Sequence, residues 1–165
     1  LMQDEGLEAI FARHDRHRRA SQAAMRALGL PLFAADGYGS PAITAVAPAG
    51  LDAEALRKAV KGRYDILLAG GQDHLKGKVF RIGHLGFVCD RDVLTAVAAI
   101  EGALADLGVA SAQPGAGVAA AAAPSPAPTT ILNNDFSLNP TLPVEVGPRE
   151  QHATQPANFA PKKSG

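Results

Sequence analysis

Few residues in this chain have the types and spacing that chemistry needs. The glycine pair of Ala69-Gly70-Gly71-Gln72, upstream of Gly77-Lys78, raises phosphate binding first, because backbone N–H groups of a glycine turn can cradle an anion. The P-loop pattern requires four residues between its first glycine and Gly-Lys-[Ser/Thr]. Counted from Gly71, the Gly77-Lys78 pair falls one residue late, and Val79 stands where the hydroxyl belongs. No dinucleotide glycine pattern follows a strand. Local sequence therefore favours a glycine turn joining two strands.

The other reactive side chains form no set. His14 and His17 are three residues apart on a helix pattern, and His74 and His84 flank a strand pattern, but no carboxylate or cysteine joins them at zinc spacing. They are expected to be partly solvated helix and loop residues. Cys89, just ahead of an expected N-cap, is taken as a packing residue. Ser21, Ser40 and the later serines lack a nucleophile-elbow pattern. Lys58, Lys61, Lys76 and Lys78 occupy surface or strand-edge positions, not the apolar setting that lowers a lysine pKa for imine chemistry. One candidate is left, Arg81, whose guanidinium suits a carboxylate or phosphate.

The elements that must position Arg81 read as helix, strand, helix, strand, strand, helix. Leu7, Ile10, Phe11, His14, Ser21, Met25 and Leu28 recur at helical spacing, with Gly29 as the stop and Pro31 beyond it. Asp52 is a good N-cap for a second helix, with Leu51 and Leu56 spaced as a hydrophobic staple. A third helix starts at Asp90, runs through Val93, Leu94, Val97, Ile100 and Leu107, and stops at Gly108. Strands are expected at Ala42 to Ala47, Ile66 to Leu68 and Lys78 to Ile82. In the last, alternation sends Phe80 and Ile82 to one face, and Val79 and Arg81 to the other. The fold class expected is α+β, a small antiparallel or mixed sheet covered on one face by helices. Arg81 projects from the uncovered face, where it needs an anion or water.

Composition sets the limits around this domain. The 165 residues carry 16 basic and 16 acidic side chains, without the basic excess of a nucleic-acid binder. The single cysteine cannot form an internal disulfide, which fits a reducing, cytoplasmic compartment. No run of 18 apolar residues exists to span a bilayer, and Gln3, Asp4 and Glu5 do not suit a secretory signal. The start at Leu1, almost directly inside a helix pattern, reads as a fragment of something longer. Nine of the twelve prolines follow residue 112, so residues 113–165 are expected to be a disordered low-complexity tail or linker after a domain at 1–112. A docking peptide around Ile131 to Leu142 is the functional alternative for that tail.

The stretch Leu68-Ala69-Gly70-Gly71-Gln72-Asp73-His74-Leu75-Lys76-Gly77-Lys78-Val79-Phe80-Arg81-Ile82-Gly83-His84-Leu85-Gly86 resembles the closing segment of class V aminotransferases. The likeness is to the alanine–glyoxylate, serine–glyoxylate and serine–pyruvate group, which also includes proteins labelled as the small subunit of a soluble hydrogenase. Arg13-His14, Ala27-Leu28-Gly29-Leu30, Ser40-Pro41, Leu51 to Arg57 and Gly115-Ala116-Gly117-Val118 extend it over about residues 5 to 120.

The resemblance implies the carboxy-terminal small domain of a fold-type-I enzyme that uses pyridoxal 5'-phosphate. In that family the large domain holds the cofactor and supplies the imine-forming lysine, and no lysine here matches that motif. Arg81 is implied to bind the α-carboxylate of a small amino acid or oxo acid. Gly70, Gly71 and Gln72 are implied to lie by the substrate entrance. The complete protein is implied to be a homodimeric transaminase, and this chain alone to be inactive. The competing expectation is a non-catalytic α+β interaction or ligand-binding module.

Overall fold

The computed structural model describes residues 2–109 and 113–123. The elements run α1 (Met2–Glu5), α2 (Leu7–Ala27), β1 (Ile43–Val46), α3 (Ala53–Tyr64), β2 (Ala69–Gly70), a single 3-10 turn (Asp73–Leu75), β3 (Phe80–Gly83), α4 (Asp90–Asp106) and α5 (Ala116–Ala122). The strands form one antiparallel sheet in the order β1-β3-β2. Helices α2 and α3 pack on the sheet, and α4 packs on both helices. The architecture is α+β, as the sequence pattern indicates.

Alternation along β3 decides how sheet and helices meet. Phe80 and Ile82 are buried in one core with Val46 of β1, Met25 of α2, Leu56 and Val60 of α3, and Val97, Ile100 and Leu104 of α4. Cross-strand partners share a face, so the pairs Val46–Phe80 and Thr44–Ile82 point inward. Ile43–Gly83, Ala45–Arg81 and Ala69–Arg81 point outward.

Several boundaries differ from expectation for identifiable reasons. The strand expected at Ile66 to Leu68 lies instead at Ala69–Gly70. Asp65 ends α3 in the left-handed conformation at φ 55°, and the chain uses Ile66 to Leu68 to climb to the sheet edge. Leu68 is buried there, while Leu67 remains 78% exposed. Val79 precedes β3 and is itself buried, although outside the main core. In α2 the inward stripe passes through Ile10, His17, Ser21, Ala24 and Met25, so Leu7 and Phe11 stay exposed. Cys89 is an exposed N-cap and not a packing residue; its N–H donates to Asp92 Oδ2 at 2.9 Å and starts α4.

The domain also extends past the boundary expected at residue 112. The chain divides into two units, Leu1–Ala127 and Pro128–Gly165, and α5 belongs to the first. That helix packs on α2 and α4, with Gly117 and Ala121 buried. A Cβ at position 117 would stand 3.0 Å from Leu28 Cδ1, so a larger residue there would make the Leu28 side chain give way. The rest of the expected tail, including Ile131 to Leu142, lies outside the described residues. Among the described residues no helix is long and apolar enough to cross a membrane.

This packing makes the end of the domain testable by truncation. A chain ending at Ala112 uncovers Leu28 and should lose about 1–2 kcal/mol relative to one ending at Ala127. Urea unfolding of the two forms measures the difference. Equal midpoints would mean that α5 contributes nothing to the domain.

Candidate functional site

Arg81 is the side chain around which the outer face of the sheet is arranged. It is half-buried in the central strand, and its partners on both neighbouring strands are alanines, Ala45 and Ala69. Two methyl groups flank it where larger side chains would cover it. Its Nε donates to the Gly70 carbonyl at 3.0 Å, which fixes the plane of the guanidinium. Among the described residues it has no carboxylate partner, and its two terminal amino groups make no hydrogen bond. Most other arginines are paired: Arg13 with Glu5, Arg16 with Asp90, Arg18 and Arg19 with Asp15, Arg26 with Asp36, Arg57 with Glu54, and Arg63 with Asp106. Arg91, exposed on α4, is the other described arginine without such a partner.

The structure brings Gly70, Gly71 and Gln72 beside Arg81, but this chain itself fills the space next to the two glycines. A Cβ at Gly70 would meet Arg57 Nη1 at 2.7 Å and Glu54 Oε1 at 2.8 Å. A Cβ at Gly71 would strike the Leu75 carbonyl oxygen at 2.1 Å. Gly71 N–H donates to the Val79 carbonyl at 2.8 Å, extending the β2–β3 pairing by one bond. Gln72 is exposed and caps the 3-10 turn in an extended conformation.

The histidines divide differently from expectation. His74 is exposed, whereas His17 and His84 are buried at 1% and 0% exposure. His84 follows Phe80 and Ile82 on the inward face of the strand, and its Nε2 lies 2.9 Å from Thr44 Oγ1. His17 lies on the inward stripe of α2 and donates from Nε2 to Asp90 Oδ1 at 2.9 Å. The Nδ1 atoms of both rings have no partner. His14 donates from Nδ1 to the Ile10 carbonyl at 2.7 Å and accepts from the Gly86 N–H at 3.3 Å. The periodicities that predict the helix and strand already place His17 and His84 inside; their polarity hid the signal. Among the described residues, no three His, Cys, Asp or Glu side chains converge as a metal site.

Burial dominates the protonation of both buried rings. It pushes His84 down to about 4, helped by the neighbouring His17 and His14. Desolvation also lowers His17, outweighing the opposing pull of Asp90. Asp90 is itself held below the usual carboxylate range, chiefly by the hydrogen bond from Arg16.

The described lysines, Lys58, Lys61, Lys76 and Lys78, are all exposed, and Lys61 pairs with Asp65. None has the apolar surroundings that make an imine-forming amine. These residues do not by themselves fit pyridoxal phosphate.

Known proteins place the sequence and fold of this chain in a class. A soluble hydrogenase small subunit from a Synechococcus species is 66% identical over 120 residues, covering 73% of this chain and 31% of that protein. The serine–glyoxylate aminotransferase of Methylorubrum extorquens is 40% identical over 119 residues, covering 71% and 29%. The crystal structure of ureidoglycine–glyoxylate aminotransferase from Bacillus subtilis superposes with a TM-score of 0.68 at 34% identity, covering 72% of this chain and 31% of that one. No family model matches. In sequence and fold, the chain matches the carboxy-terminal part of class V aminotransferases. It spans about a third of the length of the curated relatives it matches.

The buried histidines set a pH dependence of stability. Their folded pKa values lie below the unfolded value, so the unfolded state binds more protons as pH falls through 6.5 toward 4. The stabilisation from His84 is fully present above about pH 6.5 and is lost downward, on the order of 2–4 kcal/mol. Denaturant unfolding between pH 7.5 and 4.5 should show this loss, and His84→Gln should flatten it. An unchanged slope in that variant would remove His84 as the cause.

Proposed function

We propose that the complete protein carrying this domain transfers an amino group between a small amino acid, alanine or serine, and glyoxylate or pyruvate, with Arg81 binding the substrate carboxylate. The observation that carries this reading is the state of Arg81. It is half-buried on the face of the sheet without helices, aimed by the Gly70 carbonyl, and without an acidic partner among the described residues. Its free amino groups can form two parallel bonds to a carboxylate, where a lysine offers only a point charge. Ala45 and Ala69 leave room beside it for a small substrate. Pyridoxal phosphate, bound by the large domain that this chain does not span, would supply the electron sink for the transfer.

In this scheme Arg81 orients the substrate by its carboxylate, and orientation of reacting groups is worth several kcal/mol. Gly70, Gly71 and Gln72 border the substrate entrance, and the tight fit of the chain around both glycines keeps that border thin. The complete protein is read as a cytoplasmic homodimer, in keeping with the family resemblance and with a single cysteine. The second reading, a non-catalytic α+β module, is favoured by one observation. None of its described lysines has the apolar surroundings that the cofactor's imine needs.

The isolated chain tests whether this domain alone carries the activity. Mixed with pyridoxal phosphate, it should give no borohydride-trappable bond to one specific lysine and no turnover of alanine or serine. Stoichiometric trapping with turnover would mean that the chain is a complete enzyme.

Arg81→Lys in the complete protein tests the carboxylate role. It keeps the charge and removes the two-pronged geometry. Loss of one charge-assisted hydrogen bond costs about 1.5–3 kcal/mol, so kcat/KM should fall roughly ten- to a hundredfold with amino donor and oxo acid alike. Cofactor occupancy and folding should be retained, because Phe80 and Ile82 hold the core. Loss of cofactor with unchanged substrate affinity would make Arg81 a structural residue.

A further inference from the structure

We propose that Arg57 is a positioning residue that aims Arg81 through β2; the inference rests on the carboxylate role of Arg81 proposed above. Strand β2 has only two residues and lies at the sheet edge, so its register needs support from outside the ladder. Arg57 supplies it. Its Nε leaves α3 and donates to the Leu68 carbonyl at 2.7 Å, immediately before the strand. Its Nη1 bonds both Glu54 carboxylate oxygens, at 2.6 and 2.7 Å. The resulting ion pair presses against Gly70, where even a methyl group would come within 2.8 Å of both partners.

The next residue contact leads to the site. Gly70 carries the carbonyl that accepts from Arg81 Nε. A guanidinium is planar, so one Nε bond sets the directions of both terminal amino groups. A shift of the Gly70 carbonyl therefore re-aims the fork that would meet a carboxylate. Arg57 is distinct from a helix-surface ion pair, since it ties α3 to Leu68, eleven residues later in sequence and immediately before the strand. Its charge is matched by Glu54, so it does not compete with Arg81 for an anion.

The test uses the complete enzyme and a double-mutant cycle. Arg57→Gln, Gly70→Ala and Arg81→Lys are compared alone, and the first two also in the Arg81→Lys background. KM and kcat for amino donor and oxo acid, cofactor absorbance and thermal midpoint are measured for each. Arg57→Gln should raise KM for both substrates about five- to tenfold at native cofactor occupancy. In the Arg81→Lys background it should add little, because the fork it aims is gone. Gly70→Ala leaves Arg57 in place but forces the two apart, and should show the same pattern; it carries the test if Arg57→Gln does not fold. An unchanged KM in the wild-type background would overturn the proposal, as would an equal effect with and without Arg81. Unchanged KM in Arg81→Lys alone would instead overturn the carboxylate reading on which it rests.

Discussion

The pairing of β3 between two antiparallel neighbours is the constraint on which the rest depends. Side chains on a strand alternate strictly, so anchoring Phe80 and Ile82 in the helical core leaves Arg81 no inward option. A slip of one residue would bury a guanidinium and expose a phenylalanine, and both changes are unfavourable. The core therefore does two things at once. It supplies apolar burial, and it holds a cation on the side of the sheet opposite the helical core. The ladder to β1 and β2 adds a second restraint, since the alanines opposite Arg81 come from both strands.

Much of this was legible because periodicity records which face is buried. The alternation at Lys78 to Ile82 predicted the orientation of Arg81, and the spacing in α4 predicted Val93, Val97 and Ile100 as inward, whereas Leu107 at its end is 39% exposed. The N-cap at Asp52 was equally readable, because a carboxylate ahead of an apolar-periodic run has a definite partner; here its Oδ1 accepts from the Glu54 N–H. The misplaced strand shows where such reasoning stops. Ile66-Leu67-Leu68 has a strand's composition, but its place is set by the left-handed turn at Asp65 and by Arg57 taking the Leu68 carbonyl. That carbonyl's partner is a side chain eleven residues earlier, and no local pattern discloses it.

Buried polar groups were the other blind spot, for a related reason. His17, Thr44 and His84 occupy positions that periodicity marks as inward, yet their chemistry argues for solvent. The conflict resolves only when partners from distant segments are known: Asp90 for His17, and Thr44 paired with His84 across the sheet. In α2 the same effect explains a run of arginines beside a buried face. Arg18 and Arg19 turn back to Asp15, and Arg16 joins His17 at Asp90, so the helix keeps its polar side satisfied. Composition also misled at the carboxy-terminal end. Ala and Gly in Ala116–Ala122 look too small to pack, but their size is what lets α5 lie close against Leu28.

Charge bookkeeping across the domain isolates the same residue that alternation does. Over the whole chain sixteen basic and sixteen acidic groups leave no net excess, and Glu5, Asp15, Asp36, Glu54, Asp90 and Asp106 are each committed to arginines near them. Arg81 lies outside that pairing while being half-buried, which is the less comfortable condition for a cation. Its one bond, from Nε to a backbone carbonyl, does not neutralise it; it restricts where the remaining donors point. In the role proposed for it, an incoming carboxylate would meet donors already held in place. Binding would then cost little side-chain entropy and would break no ion pair of Arg81 among the described residues. A lysine would satisfy the charge without the direction, and an arginine paired to its own acid would give the direction without the vacancy. Arg81 has both, because alternation, the alanine neighbours and the Gly70 carbonyl act on it together.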